Sequence, residues 1–468
     1  MNFEWTFFLN LGVISIALLL ATYLRSKVRF FQRYLIPNAL TAGIILLPFF
    51  NYAAPEIGLS QGSLESLIYH LLSISFISMS LRKRSEKPFN KSILSTSTMI
   101  VSSLTFQGII GFGLTFLAIA TFFPELFPSF GLFIPLGFEL GPGQAMSIGL
   151  GWEELGFEGG GSIGLTFAAF GFLWACFGGV FLVNLGVKKG WLRGKQAAVL
   201  HHSKIRSGVI GKGEEPKPGA FLTTESEAID SMTVNTAVVA GVYLFTYLFL
   251  VLVTCLLGFV GPLGEELAVN LWGLSFVFSA IFALLARKLI DLIGAGRILD
   301  DGALTRISGF SVDLLVCASV GAISLAVLFK HWIPLLVMVV VGGAATMVYS
   351  LWIASRVFTD HKFERAIMLY GASTGTLPTG LALLRVLDPE FETPVATDYM
   401  YGSGIAFFLV IPYILSINLP AYGFARNDPS RYFIMVGLLA VYLIAVIILL
   451  KILGGKGAFK RPGKVWVE

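Results

Sequence analysis

Eleven apolar runs, each long enough to cross a bilayer core of about 30 Å, leave this chain few folds to choose from. They fall at 5–24, 35–52, 64–81, 93–123 and 161–187, then at 234–260, 268–286, 307–329, 332–354 and 399–419, with the last at 432–453. Hydrocarbon offers no water to a backbone N–H or C=O, so each run must close its own hydrogen bonds as a helix. The composition agrees. Of 468 residues 56% are hydrophobic and only 13% charged, too little polar surface to clothe a soluble chain of this length. The expected fold class is an all-α integral membrane protein. The second run, which contains Pro37 and Pro48, is the least regular. MNFEWTFFLN at the start has no basic flank and carries Glu4, so no cleaved signal peptide is expected.

Two further apolar stretches, 130–155 and 366–387, are too short or too interrupted to span. The segment 188–230, with HHSKIRSGVIGKGEEPKPG, is charged, rich in Gly and Pro and without sustained periodicity, and reads as a soluble linker. When loops are assigned to alternate sides, all but Lys330, Arg426 and Arg431 of the 33 lysines and arginines fall on one side. The positive-inside rule makes that side cytoplasmic. The linker and C-terminus then lie inside and the N-terminus outside. The basic excess is thereby explained without a nucleic-acid partner.

This orientation makes the first five runs start outside and the next five start inside, with a broken stretch between the fourth and fifth run of each set. The expected organisation is therefore two inverted five-helix repeats, 1–187 and 231–420. Each carries a re-entrant segment, 130–155 or 366–387, and one extra transmembrane helix with its tail fills 421–468. Inverted repeats with discontinuous segments at matching positions point to a secondary transporter.

The breaks supply the candidate site. In FELGPGQAMS, Gly141 and Gly143 permit close backbone approach, Pro142 sets the turn, and Gln144 and Ser147 offer hydrogen bonds. In GASTGTLPTG, Ser373, Thr374, Thr376 and Thr379 bring hydroxyls around Gly371, Gly375 and Pro378. Half-helix N-termini favour an anion, and carbonyls with hydroxyls suit sodium. The substrate set is then Gly141, Gly143, Gln144, Ser147, Ser373, Thr374, Gly375 and Thr376. The ion set is Glu139, Asp313, Thr376 and Thr379. Glu139 is either an intramembrane acid with a function or a hydrated residue of an outer vestibule. Asp313 is a cation ligand or a solvated residue near the cytoplasmic end. His70 reads as a packing residue and Arg385 as a cytoplasmic anchor. Cys176, Cys255 and Cys317 lie in apolar runs without metal or redox spacing and read as small packing residues. No phosphate loop or metalloprotease motif is present.

The ten-run body resembles the bacterial sodium/glutamate symporters. YLIPNALTAGIILL at 34–47 is similar to that family's Ile-Pro…Gly-Gly segment, AAFGFLWACFGG at 168–179 to its Phe-Gly…Gly-Gly helix, and GASTGTLPTGLALL at 371–384 to its second re-entrant loop. Two motifs differ. Leu140-Gly-Pro-Gly-Gln144 stands where the family commonly has Gly-Gly-His-Gly-Thr, and Phe407-Phe408-Leu409-Val410 lacks the acid of Phe-Phe-x-Asp. The resemblance implies sodium-coupled symport of L-glutamate or a related small carboxylate by alternating access. It also implies a homodimer in a bacterial-type inner membrane, with sodium as coupling ion, no other cofactor and no enzymatic activity. A proton-coupled carrier using Glu139, and a non-transporting receptor or scaffold on the same fold, are the alternatives.

Overall fold

A computed structural model describes residues 5–34, 36–83, 91–191, 218–225, 227–259, 268, 271–388, 393–454 and 462–467. These residues are all-helical, without a strand. In chain order the helices are α1 (Thr6–Lys27), α2 (Arg29–Arg33), α3 (Asn38–Pro48), α4 (Gln61–Ser80), α5 (Lys91–Thr121), α6 (Pro142–Glu153), α7 (Gly160–Leu173) and α8 (Gly179–Lys189). After the linker come α9 (Ser231–Gly258), α10 (Ser275–Leu292), α11 (Asp301–Gly321), α12 (Leu325–Lys330), α13 (Trp332–Val357) and α14 (Lys362–Leu387). The last are α15 (Val395–Ser416), α16 (Leu419–Ala425) and α17 (Ser430–Gly454).

Among the described residues, nine helical stretches are long and apolar enough to cross a membrane, against the eleven expected. The runs expected at 64–81 and 268–286 correspond to α4 and α10, and neither is among the nine. Their packing gives the reason. α4 carries serines at 63, 66, 73, 75, 78 and 80, and α10 ends in Arg287, Lys288 and Asp291. Both lie against other helices, α4 on α11 and α10 on α4 and α9. Ser73, Ser75 and Ser78 of α4 and Arg287 of α10 are buried against these neighbours, where polar groups are tolerated, whereas Lys288 and Asp291 lie at the exposed end of α10. The run at 307–329 is also divided, because α11 ends at Gly321 and Ser324 caps the separate α12 by accepting from Val327 N.

The outward faces of α1, α9 and α17 expose large apolar side chains, including Leu19, Phe245, Leu256, Phe433 and Ile452. That is the signature of a helix surrounded by hydrocarbon. Loops group at two ends. At one end Lys330 pairs with Glu158 at 2.8 Å, and Asn51 Oδ1 accepts from Leu325 N at 3.0 Å. At the other, Lys83 N donates to Asp301 at 2.8 Å, Arg287 caps Leu81 O at 3.1 Å, and Phe221 N donates to Asp300 at 3.1 Å. The described end of the linker thus docks at the start of α11. Residues 192–217 of the expected linker lie outside the described residues.

The centre of the bundle is where α5, α14 and the segment before α6 pack together.

Candidate functional site: two helix breaks in contact

The first break begins as a π turn at Ile134–Leu140 and closes when Gly141 N donates to Leu136 O at 2.9 Å. Wide π turns are frequent at functional sites. Gly141 itself has φ 99° and ψ 176°, a backbone region essentially reserved for glycine. It also serves as N-cap of α6, its carbonyl accepting from Ala145 N at 3.1 Å. Pro142 at the first helical position has no N–H to lose, and those of Gly143 and Gln144 have no intrahelical partner.

The second break lies inside α14. Helical backbone stops at Gly375 (φ −148°, ψ 24°) and Thr376 (φ 74°, ψ 166°) and then resumes. Thr376 therefore holds nearly the conformation of Gly141, with a β-branched side chain where that is strained. The flanking hydroxyls turn back on the helix: Thr374 Oγ1 donates to Tyr370 O at 2.7 Å, and Thr379 Oγ1 to Gly375 O.

The two breaks touch. A Cβ on Gly141 would lie 2.9 Å from Thr376 Cγ2. α7 forms their common wall. At Gly171 an added Cβ would meet Thr374 O at 2.4 Å and Phe138 Cδ1 at 2.9 Å, so one glycine admits both segments. A second π turn, Trp174–Gly178, follows α7, and Trp174 O accepts from Tyr370 OH at 2.7 Å. Two helix N-termini thus begin side by side in the interior, each worth roughly half a positive charge. Neither tip contains a lysine or arginine.

α5 fixes the second break from the opposite side. Ser103 Oγ donates to Ser373 Oγ at 2.9 Å, and one turn later Gln107 Nε2 donates to Ser373 O at 2.7 Å and Thr346 Oγ1 at 3.1 Å. Both carboxyl oxygens of Glu139 are buried here without a hydrogen-bond partner, as are Gln107 Oε1 and Tyr413 OH. Ser103 and Ser373 border the Glu139 carboxyl group, and the Tyr349, Tyr399 and Tyr413 rings lie within its field. Its interactions among the described residues include no lysine, arginine or histidine. A buried carboxyl group with no hydrogen-bond partner and no cationic neighbour among the described residues sits in a surrounding that suits a bound cation or proton.

The sequence-derived candidates divide accordingly. Gly141 and Thr376 touch, Thr374 meets Phe138 of the first break across Gly171, Ser373 borders Glu139, and Gly375 and Thr379 belong to the second break, where Gly375 faces Ala175 and Phe172. Gly143 faces Leu72 of α4, where an added Cβ would sit 2.8 Å from Leu72 Cδ1. Gln144 is buried in the first turn of α6, near Gly141. Ser147 points elsewhere, donating to Gly273 O at 2.6 Å. Asp313 is exposed on α11, with no hydrogen bond or ion pair to either break among the described residues. His70 bonds Tyr243 OH at 2.6 Å between the two halves, in keeping with a packing role. Cys176 and Cys317 are buried, and Cys255 is exposed on α9.

Sequence reasoning passed over Ser103, Gln107, Thr346 and the three tyrosines. It also passed over the buried pair Arg365–Asp398, 2.9 Å apart, with Ser92 Oγ donating to Asp398 at 2.6 Å. This pair ties the upstream end of α14 to α15 and α5. Its signal was available, since Arg365 and Asp398 are charges at the very starts of apolar helices.

Comparison of the chain with protein families, with curated proteins and with solved structures gives no match.

Proposed function

We propose that this chain is a secondary active transporter rather than an enzyme. Its cargo is L-glutamate or a related small carboxylate, moved by sodium-coupled symport and alternating access. The observation that carries the reading is the contact of Gly141 with Thr376, which sets two helix N-termini side by side in the interior of an apolar bundle. A carboxylate in such a place meets N–H groups and hydroxyls. Its full charge exceeds what two partial dipoles supply, and sodium makes up the difference.

The packing supports the inverted-repeat part of the reading. α1 lies on α3 as α9 lies on α10, α3 packs on α11 as α10 packs on α4, and α5 meets α15 as α13 meets α7. These are the pairings a two-fold axis between 1–187 and 231–420 generates, with 130–155 and 366–387 as the re-entrant segments and α17 as the added helix. The charge distribution orients the molecule with 188–230 and the tail in the cytoplasm of a bacterial-type inner membrane. The resemblance adds a homodimer.

The ion and the solute then stabilise one another by the same factor. Isothermal titration of the purified chain with L-glutamate at several sodium concentrations tests this. The reading requires affinity to rise at least tenfold between sodium-free and sodium-saturated buffer; an affinity unmoved by sodium rejects it. One observation favours a second reading, a proton-coupled carrier: the unpartnered acid Glu139 in the same cluster. Affinity that follows pH in place of sodium selects that reading.

A further inference from the structure

The last described residues, 462–467, do not trail away from the bundle but lie across the ends of three helices. Trp352 Nε1 on α13 donates to Pro462 O at 2.9 Å. One turn on, Arg356 Nη2 donates to Lys464 O, while its guanidinium stacks 4.5 Å above the Trp352 ring. Lys362 Nζ at the start of α14 donates to Val467 O at 3.2 Å. Trp466 stacks on Trp191, just beyond α8, with centroids 4.7 Å apart and planes at 22°. It also meets the edge of Phe363 on α14 at 5.9 Å.

The receiving surface is shaped for a peptide. Three side-chain donors from two helices match three main-chain carbonyls, so the recognition there is of backbone. Trp191 and Phe363, whose own rings lie 5.8 Å apart, form a two-ring platform that seats one further aromatic ring, so the selectivity is for Trp466. The surface is anchored from beneath: Phe363 fills the space left by Gly186 of α8, where an added Cβ would lie 2.2 Å from Phe363 Cζ. Arg356 and Phe363 are buried in this arrangement, whereas Pro462, Gly463, Lys464 and Val465 remain exposed to solvent.

We propose that the surface formed by Trp191, Trp352, Arg356, Lys362 and Phe363 is a docking groove for the chain's own C-terminal segment, and that the docked segment is a releasable latch on α14. α14 carries the second break at Gly375–Thr376, and its upstream half must shift against α13 and α8 if the break is to open toward this end. The segment bridges those three helices. Its exposed backbone and single aromatic anchor make it the part that can let go, in contrast to the buried Arg365–Asp398 pair on the same helix.

The docking is independent of transport; the latch rests on the transporter reading. Hydrogen exchange on the full chain, on a chain ending at Arg461 and on Trp466→Ala tests the docking without any solute. Peptides covering 184–191 and 350–368 are expected to exchange several-fold faster in both variants, with α9 unchanged. Equal exchange in all three forms overturns the docking. Should the shortened chain fail to fold, the Trp466→Ala comparison alone decides it. L-Glutamate uptake into proteoliposomes then tests the latch, which requires kcat to rise at least threefold in Trp466→Ala with KM unchanged. Faster exchange with an unchanged uptake rate leaves the groove and overturns the latch. Faster exchange with no uptake by either protein counts against the transporter reading and leaves the docking standing.

Discussion

Gly141 and Thr376 adopt nearly the same rare backbone conformation on two segments far apart in sequence, and the Thr376 Cγ2 methyl packs against the bare Cα of Gly141, where an added Cβ would lie 2.9 Å from it. Only one of them is a glycine. At Gly141 the geometry is free of steric cost, while at Thr376 it stores strain of about 1–3 kcal/mol. Strain held at the contact of two half-helices is what a segment needing two conformations can use.

Gly141→Ala puts a Cβ into a forbidden backbone region and against Thr376 Cγ2. The expected loss of stability is about 1–3 kcal/mol, with transport abolished. Gly171→Ala, which drives a Cβ toward Thr374 O, is expected to destabilise by about as much through overpacking. Thermal unfolding in detergent checks both, and variants as stable as the parent would show that the breaks are not in contact.

Thr376→Gly has the opposite sign. Release of strain outweighs the extra flexibility glycine gives the unfolded chain, leaving a gain of about 1 kcal/mol. Thr376→Ala keeps the strain and loses the hydroxyl, so it gains nothing and weakens sodium dependence. A melting temperature that falls further in Thr376→Gly than in Thr376→Ala contradicts this.

Much of this centre was legible in the sequence because glycine, proline and hydroxyl clusters interrupt runs that are otherwise continuous oil. The breaks at 141–144 and 373–379 stand out for that reason. Ser103 and Gln107 did not, because Ile93–Phe123 averages as apolar and a stripe of serines, threonines and a glutamine dissolves into the mean. The exposed face of Asp313 was hidden likewise, since a helix apolar on nearly every side has no strong periodicity to say which face is inside. Along the sequence, Arg365 and Lys362 read only as charges flanking an apolar run. Pairing across helices is a tertiary fact that spacing along the chain does not contain.

Arg365→Ala leaves Asp398 buried and unpaired, at a cost of about 3–5 kcal/mol. Replacing both, as Arg365→Met with Asp398→Leu, is expected to recover most of that loss. A double-mutant cycle on unfolding free energies measures the coupling. Single and double variants that lose equal stability would mean the pair is not a unit.

Glu139→Gln keeps the shape of the side chain and removes a carboxyl group that, when ionised, has no cationic partner among the described residues. In sodium-free buffer the variant is expected to melt at a higher temperature than the parent, by several degrees. Sodium should then raise the melting temperature of the parent and leave the variant unchanged. Equal sodium shifts in both proteins place the ion elsewhere.

The central claim is that the paired breaks carry a small acid across the membrane with sodium. Uptake of labelled L-glutamate into proteoliposomes, under an inward sodium gradient at equal pH and under an inward proton gradient without sodium, tests it most directly. The account predicts accumulation above the outside concentration with the sodium gradient alone, abolished in Gly141→Ala and no longer sodium-driven in Glu139→Gln. Accumulation under neither gradient, or at the parental level in Gly141→Ala, contradicts it.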